Sequence, residues 1–81
     1  MNQFVIILST MITAIYQVNQ MQLTLSTFDS IISWTCDLED EDKVLRLVTT
    51  EDISVPVMIE LRRAGIISSV MQIFITENQN S

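Results

Sequence analysis

The period of the apolar residues changes several times along this chain, and the order of the changes limits the folds open to it. Phe4 to Leu8 reads FVIIL, an unbroken, β-branched apolar run of strand length. Directly after it, Met11, Ala14, Ile15, Val18, Met21 and Leu25 fall on one stripe at about 100° per residue, with Gln17, Asn19, Gln20 and Thr24 off it. A strand followed by an amphipathic helix of about four turns is the reading. Between the two, the hydroxyls of Ser9 and Thr10 are placed to cap the free N–H groups of the first turn.

The helical period stops at Thr27 to Asp29. From Ile31 to Leu38 the side chains alternate, with Ile32, Trp34, Cys36 and Leu38 on one face and Ser33, Thr35 and Asp37 on the other. Glu39 to Asp42 is a charged turn, and Val44 to Val48 is a further strand with Leu45 and Leu47 sharing a face, so the pair predicts a β-hairpin. A second helix is expected to start with Ser54 as its cap and Pro56 in its first turn. Its stripe is Ile53, Val57, Leu61 and Ala64, with Arg62 and Arg63 at its dipole-negative end. Gly65 follows where a helix stops in left-handed geometry. Ser69 to Ile75 is the last strand. The order β-α-β-β-α-β predicts an α+β, ferredoxin-like sandwich: a four-stranded antiparallel sheet with both helices on one face. Residues 1–76 make a single domain, and the polar sequence ENQNS, 77–81, is a frayed tail.

Composition then removes whole classes of function. The 81 residues contain one Gly, one Cys and no His. One Gly cannot build a Gly-rich phosphate loop. One Cys without His completes neither a Cys/His zinc site nor a Cys–His catalytic pair. Ten carboxylates against four basic residues give a net charge of −6, which disfavours nucleic acid as a partner. No catalytic constellation is visible, so the chain is expected not to be an enzyme. Met1 to Val18 is uncharged, but it lacks the basic start of a signal peptide, and Ser9, Thr10 and Thr13 interrupt it. A membrane span is therefore not expected, and a cytoplasmic location is.

The hairpin residues carry a resemblance. Ile32-Ser33-Trp34, Asp37-Leu38-Glu39-Asp40 and Asp42-Lys43-Val44-Leu45-Arg46-Leu47 resemble a strand–turn–strand pattern of small bacterial proteins similar in layout to heavy-metal-associated, metallochaperone-like domains. That resemblance implies the ferredoxin-like fold. It also implies a Cys-x-x-Cys pair at the junction of the first strand and first helix, which holds a soft metal. Here the junction reads Ser9-Thr10-Met11-Ile12-Thr13-Ala14 and has no thiolate. No metal ligand, cofactor or catalytic residue is carried over.

The remaining candidates read as structural. Asp37, Glu39, Asp40, Glu41 and Asp42 form a solvated turn that lacks the glycine and ligand spacing of a calcium loop. Cys36 and Trp34 share a strand phase with core residues, and the five Met are scattered fillers. What is left over is apolar surface: Ile31, Val44 and Val48 on the sheet face away from the helices, and Ile12, Tyr16 and Leu23 off the first helix's core stripe. The first and last strands are apolar on both faces. A monomer this small should not expose such a patch, so a second copy or a partner protein is expected to cover it. The expectation is an interaction module. A regulatory domain sensing a small ligand at a dimer interface is the alternative, and a degenerate metal carrier comes third.

Overall fold

The computed structural model describes residues 2–77. Strand β1 (Asn2–Thr10) leads to helix α1 (Ile15–Leu25), strands β2 (Ile31–Cys36) and β3 (Leu45–Thr49), helix α2 (Ser54–Arg63) and strand β4 (Ser68–Glu77). The four strands form one antiparallel sheet in the order β2-β3-β1-β4, which is the ferredoxin-like layout expected from the alternating periods. Ile6 and Leu8 of β1 and Leu45 and Leu47 of β3 point to the helices. They meet Met21 and Leu25 of α1 and Val57 and Leu61 of α2 in a core with no solvent contact beyond Leu25's edge. Removing these side chains from water supplies most of the driving force, at roughly 25 cal/mol per Å² of apolar area.

The first helix starts later than its stripe predicts. Ser9 and Thr10 belong to β1, and neither caps α1. Instead, Thr10 N–H donates to the Asp42 carbonyl at 3.0 Å and its hydroxyl to the Lys43 carbonyl at 2.6 Å, so the strand end is tied to the β2–β3 loop. Residues 11–14 belong to neither element, with Ala14 extended, and helical phase does not apply to them. Met11 is therefore 64% exposed, while Ile12 turns inward and is 5% exposed. Ala14 occupies the cap position with no side-chain acceptor to offer. Gln17 does the work from inside the helix: its Oε1 accepts from Thr13 N–H at 2.7 Å and Ala14 N–H at 2.9 Å. Ile15, expected on the core stripe, is exposed in the first turn.

A bulge corrects the reading of β2. Ile31 pairs with Thr49 and Ser33 with Val48, so one extra residue enters β2 between them. Because strand side chains alternate, that insertion exchanges faces. Ile31 packs on the core, and Ile32, expected inside, is half exposed. Beyond the bulge the expected phase holds, with Trp34 opposite Leu47 and Cys36 opposite Leu45. The link to β3 is longer than four residues, and Val44 precedes β3 rather than opening it. Within it, Glu39 N–H donates to Asp37 Oδ1 at 3.1 Å and Asp42 N–H to Asp40 Oδ1 at 2.8 Å. These side-chain turns engage two of the five carboxylates locally.

Ser54 is the first helical residue of α2, not its cap. Asp52 Oδ1 accepts both its N–H at 3.1 Å and its hydroxyl at 2.7 Å. The other end follows the sequence. Gly65 has φ +88°, its N–H donates to the Arg62 carbonyl at 2.9 Å, and Ile66 N–H reaches back to the Leu61 carbonyl at 2.8 Å. Ile66 then packs into the core beside Leu61, completing a Schellman stop. Strand β4 runs through Glu77, which pairs with Asn2, one residue into the expected frayed tail; residues 78–81 lie outside those described. No helix among the described residues is long and apolar enough to cross a membrane.

Candidate interaction surfaces

Three surfaces follow from this framework. The first is the junction of β1 and α1. Met11 N–H donates to the Ile67 carbonyl at 2.9 Å, and Thr10 holds the β2–β3 loop, so three connections converge at one end of the sheet. An open cleft of about 400 Å³ lies there, walled by Ile12, Ala14, Ile15, Val18 and Leu38 with Thr13 and Lys43 at its polar margin. Lys43 adopts φ +45°, an uncommon conformation for a residue with a side chain, which directs its carbonyl to Thr10.

The junction supplies no soft-metal site. Its residues offer one thioether, Met11, and no thiolate. The only thiol, Cys36, sits on β2 with Sγ 3.9 Å from the Lys43 carbonyl. Burial, and then the neighbouring Asp37 charge, raise its pKa above the ordinary thiol value, which disfavours the thiolate a metal would need. Among the described residues no three His, Cys, Asp or Glu side chains are grouped to hold an ion, the acidic loop included. The residues present do not fit the metal that this fold's resemblance implies.

The second surface is the sheet face away from the helices. Register places Val48, Val5 and Phe74 in one row across β3, β1 and β4, and Arg46, Ile7 and Gln72 in the next. Ser33, Thr35, Gln3 and Thr76 surround them, so an apolar centre has a polar rim. The third is β4 itself. It is an edge strand, and Met71, Ile73, Phe74 and Ile75 are all exposed. Ile73 and Ile75 share the helix side with Ile6 and Phe4, yet Ile75, on the edge strand, is 65% exposed while its partner Phe4 packs against the core.

Of the six surface residues expected from the sequence, two cannot serve. Ile12 is buried because it enters the core from the link before α1, and Ile31 is turned inward by the β2 bulge. Val48 lies in the open-face row, and Val44 lies four residues before it, in the loop that leads into β3; both are half buried. Tyr16 and Leu23 are exposed on α1, away from the sheet residues. The four do not form one patch. The run VMQIFI, apolar on both faces, signals surplus surface on β4, while its place at the sheet edge comes from strand order, which is not written in the strands. The start of α1 is capped by Gln17, three residues past the cap position, rather than by a hydroxyl before the helix; a Gln at that spacing is its sequence signal.

Solved structures with similar geometry include heavy-metal-associated domains. The chain is similar to the copper(I)-loaded first domain of the human copper chaperone for SOD1, at 17% identity and TM-score 0.72, covering 89% of this chain and 97% of that one. It is similar to the apo HMA domain of copper chaperone for superoxide dismutase, at 18% identity and TM-score 0.73, covering 98% and 78%. The N-terminal domain of PacS from Synechocystis superposes at TM-score 0.69 with 10% identity, covering 84% and 97%. No protein-family model matches the chain, and no curated protein matches it in sequence. The similarity establishes the fold, with the thiolate pair absent from a chain that has one cysteine.

Proposed function

We propose that this chain is a non-enzymatic, cytoplasmic interaction module that keeps the metallochaperone fold and uses it to self-associate or to dock on a protein. The observation that carries this reading is the apolar surface of the open sheet face and β4, where Val5, Ile7, Val48 and Phe74 sit inside a polar rim. Burying such a patch against protein is favourable, whereas among the described residues no surface group is arranged for bond-making chemistry. Light scattering at two concentrations tests it. A mass above 9.3 kDa that grows with concentration is expected, and 9.3 kDa throughout would sink self-association.

A second reading is favoured by the cleft at the β1–α1 junction. Apolar walls with a lysine at the margin suit a small apolar anion, as in a regulatory sensing domain. Saturable binding of anilinonaphthalene sulfonate that Val18→Lys abolishes would support it; binding indifferent to that change would remove it. For the third reading, a degenerate metal carrier, titration with copper(I) and zinc under reducing conditions is expected to show no stoichiometric binding.

A further inference from the structure

We infer that a second copy of this chain adds to the β4 edge, antiparallel and across a twofold axis near Phe74, so that one sheet runs continuously through both copies. The inference rests on the interaction reading and names its partner and its surface. Strand β4 pairs with β1 along one side, and the other side, at the sheet edge, leaves a row of N–H and C=O groups without a strand. Protein edges are normally protected by shortness, charge, proline or a bulge. From Gln72 to Thr76 this edge has none of these: the pairing is regular, and Glu77 at its end is the strand's one charged residue. The register irregularity of β4 falls earlier, at Met71.

The choice of a second copy follows from symmetry and charge. A strand that meets itself antiparallel about Phe74 places Ile73 beside Ile75 on the helix side, and Phe74 beside its own counterpart on the open side. Exposed apolar groups then cover each other on both faces of the sheet. Two chains of net charge −6 repel, so approach favours the edge with few carboxylates, and β4 has one, Glu77, at its end. Strand β1 has no charged residue, and the five-carboxylate run Asp37–Asp42 hangs from the β2–β3 hairpin, whose outer strand β2 is the opposite edge of the sheet. Antiparallel addition at β4 also sends the two acidic loops to opposite ends of the joined sheet.

The test uses the full chain. Light scattering combined with amide hydrogen exchange is expected to give about twice 9.3 kDa, with β4 amides exchanging at least about tenfold more slowly as concentration rises and β2 amides unchanged. Phe74→Cys in a Cys36→Ser background should cross-link copies under mild oxidation, and Ile73→Lys with Ile75→Lys should weaken association at least about 100-fold. Should the lysine pair not fold, the exchange measurement on the unaltered chain decides. A dimer whose β4 amides are not protected overturns the edge assignment and leaves self-association standing. A 9.3 kDa monomer at all concentrations overturns both.

Discussion

The two edges of the sheet solve the same problem in opposite ways. Strand β2 is six residues long, carries a bulge at Ile31–Ser33, presents Ser33 and Thr35 outward, and ends in an acidic loop. Strand β4 is ten residues long and reaches Thr76 without a charge. One edge is short, bulged and followed at once by acid, and the other has only the bulge near its start. The difference also divides the charge: half of the ten carboxylates sit within Asp37–Asp42, beyond β2, and the β1–β4 half of the sheet is nearly neutral. An acidic chain thus has a neutral side, and that asymmetry separates a surface kept apart from one available for contact.

The comparison can be broken by substitution. The largest expected effect separates the two halves in packing. Leu47→Ala, beneath the β2 side, should cost about 2–5 kcal/mol in urea unfolding. Ile75→Ala, on the mostly exposed end of β4, should change a monomer's stability by about 0.5 kcal/mol or less. Equal losses would show that the helical layer covers both sides alike. Next, a single lysine should act at one edge only. Phe74→Lys is expected to weaken self-association by about tenfold or more, and Ser33→Lys to leave it within about twofold, by sedimentation equilibrium. Equal effects would mean that the edges do not differ in use.

Two smaller effects concern the ends of the helices that set these edges in place. Gln17→Leu leaves the Thr13 and Ala14 N–H groups without their acceptor, and should lower stability by about 1–2 kcal/mol. Gly65→Ala meets nothing within 4 Å, so its cost of about 1 kcal/mol comes from the backbone at φ +88° alone.

The smallest effect is a pH dependence on the β2 side. Burial, with Asp37 second, raises the Cys36 pKa, so the native chain holds the thiol proton more tightly than the unfolded one. Its contribution is then fully present below the ordinary thiol range and is lost as pH rises through the raised native value. Urea midpoints should fall over that interval, and Cys36→Ser should flatten the decline. Alkylation of Cys36 at neutral pH should be slower than that of an exposed thiol.

Element type was legible in this sequence because period is local. FVIIL, the Val57–Leu61 stripe and Gly65 each announce their conformation within a few residues. Where the structure differs from the local pattern, the deciding partner is distant in sequence. Thr10 is strand rather than cap because it bonds to Asp42 and Lys43 across the sheet, and Ile31 faces inward because its ladder to β3 takes an extra residue. The surface was legible only in amount. An excess of apolar residues is visible in composition, but whether Ile12 or Met11 is exposed depends on where α1 begins.

By itself, then, the sequence determined the β-α-β-β-α-β order, the missing thiolate pair, and the concentration of acid in one turn. The tertiary structure alone decided which strands are edges and therefore where the apolar excess meets solvent. The reason is that alternation and helical stripes arise from bonds between near neighbours. Strand order arises from hydrogen bonds between residues as far apart as Asn2 and Glu77, whose pairing no local pattern specifies.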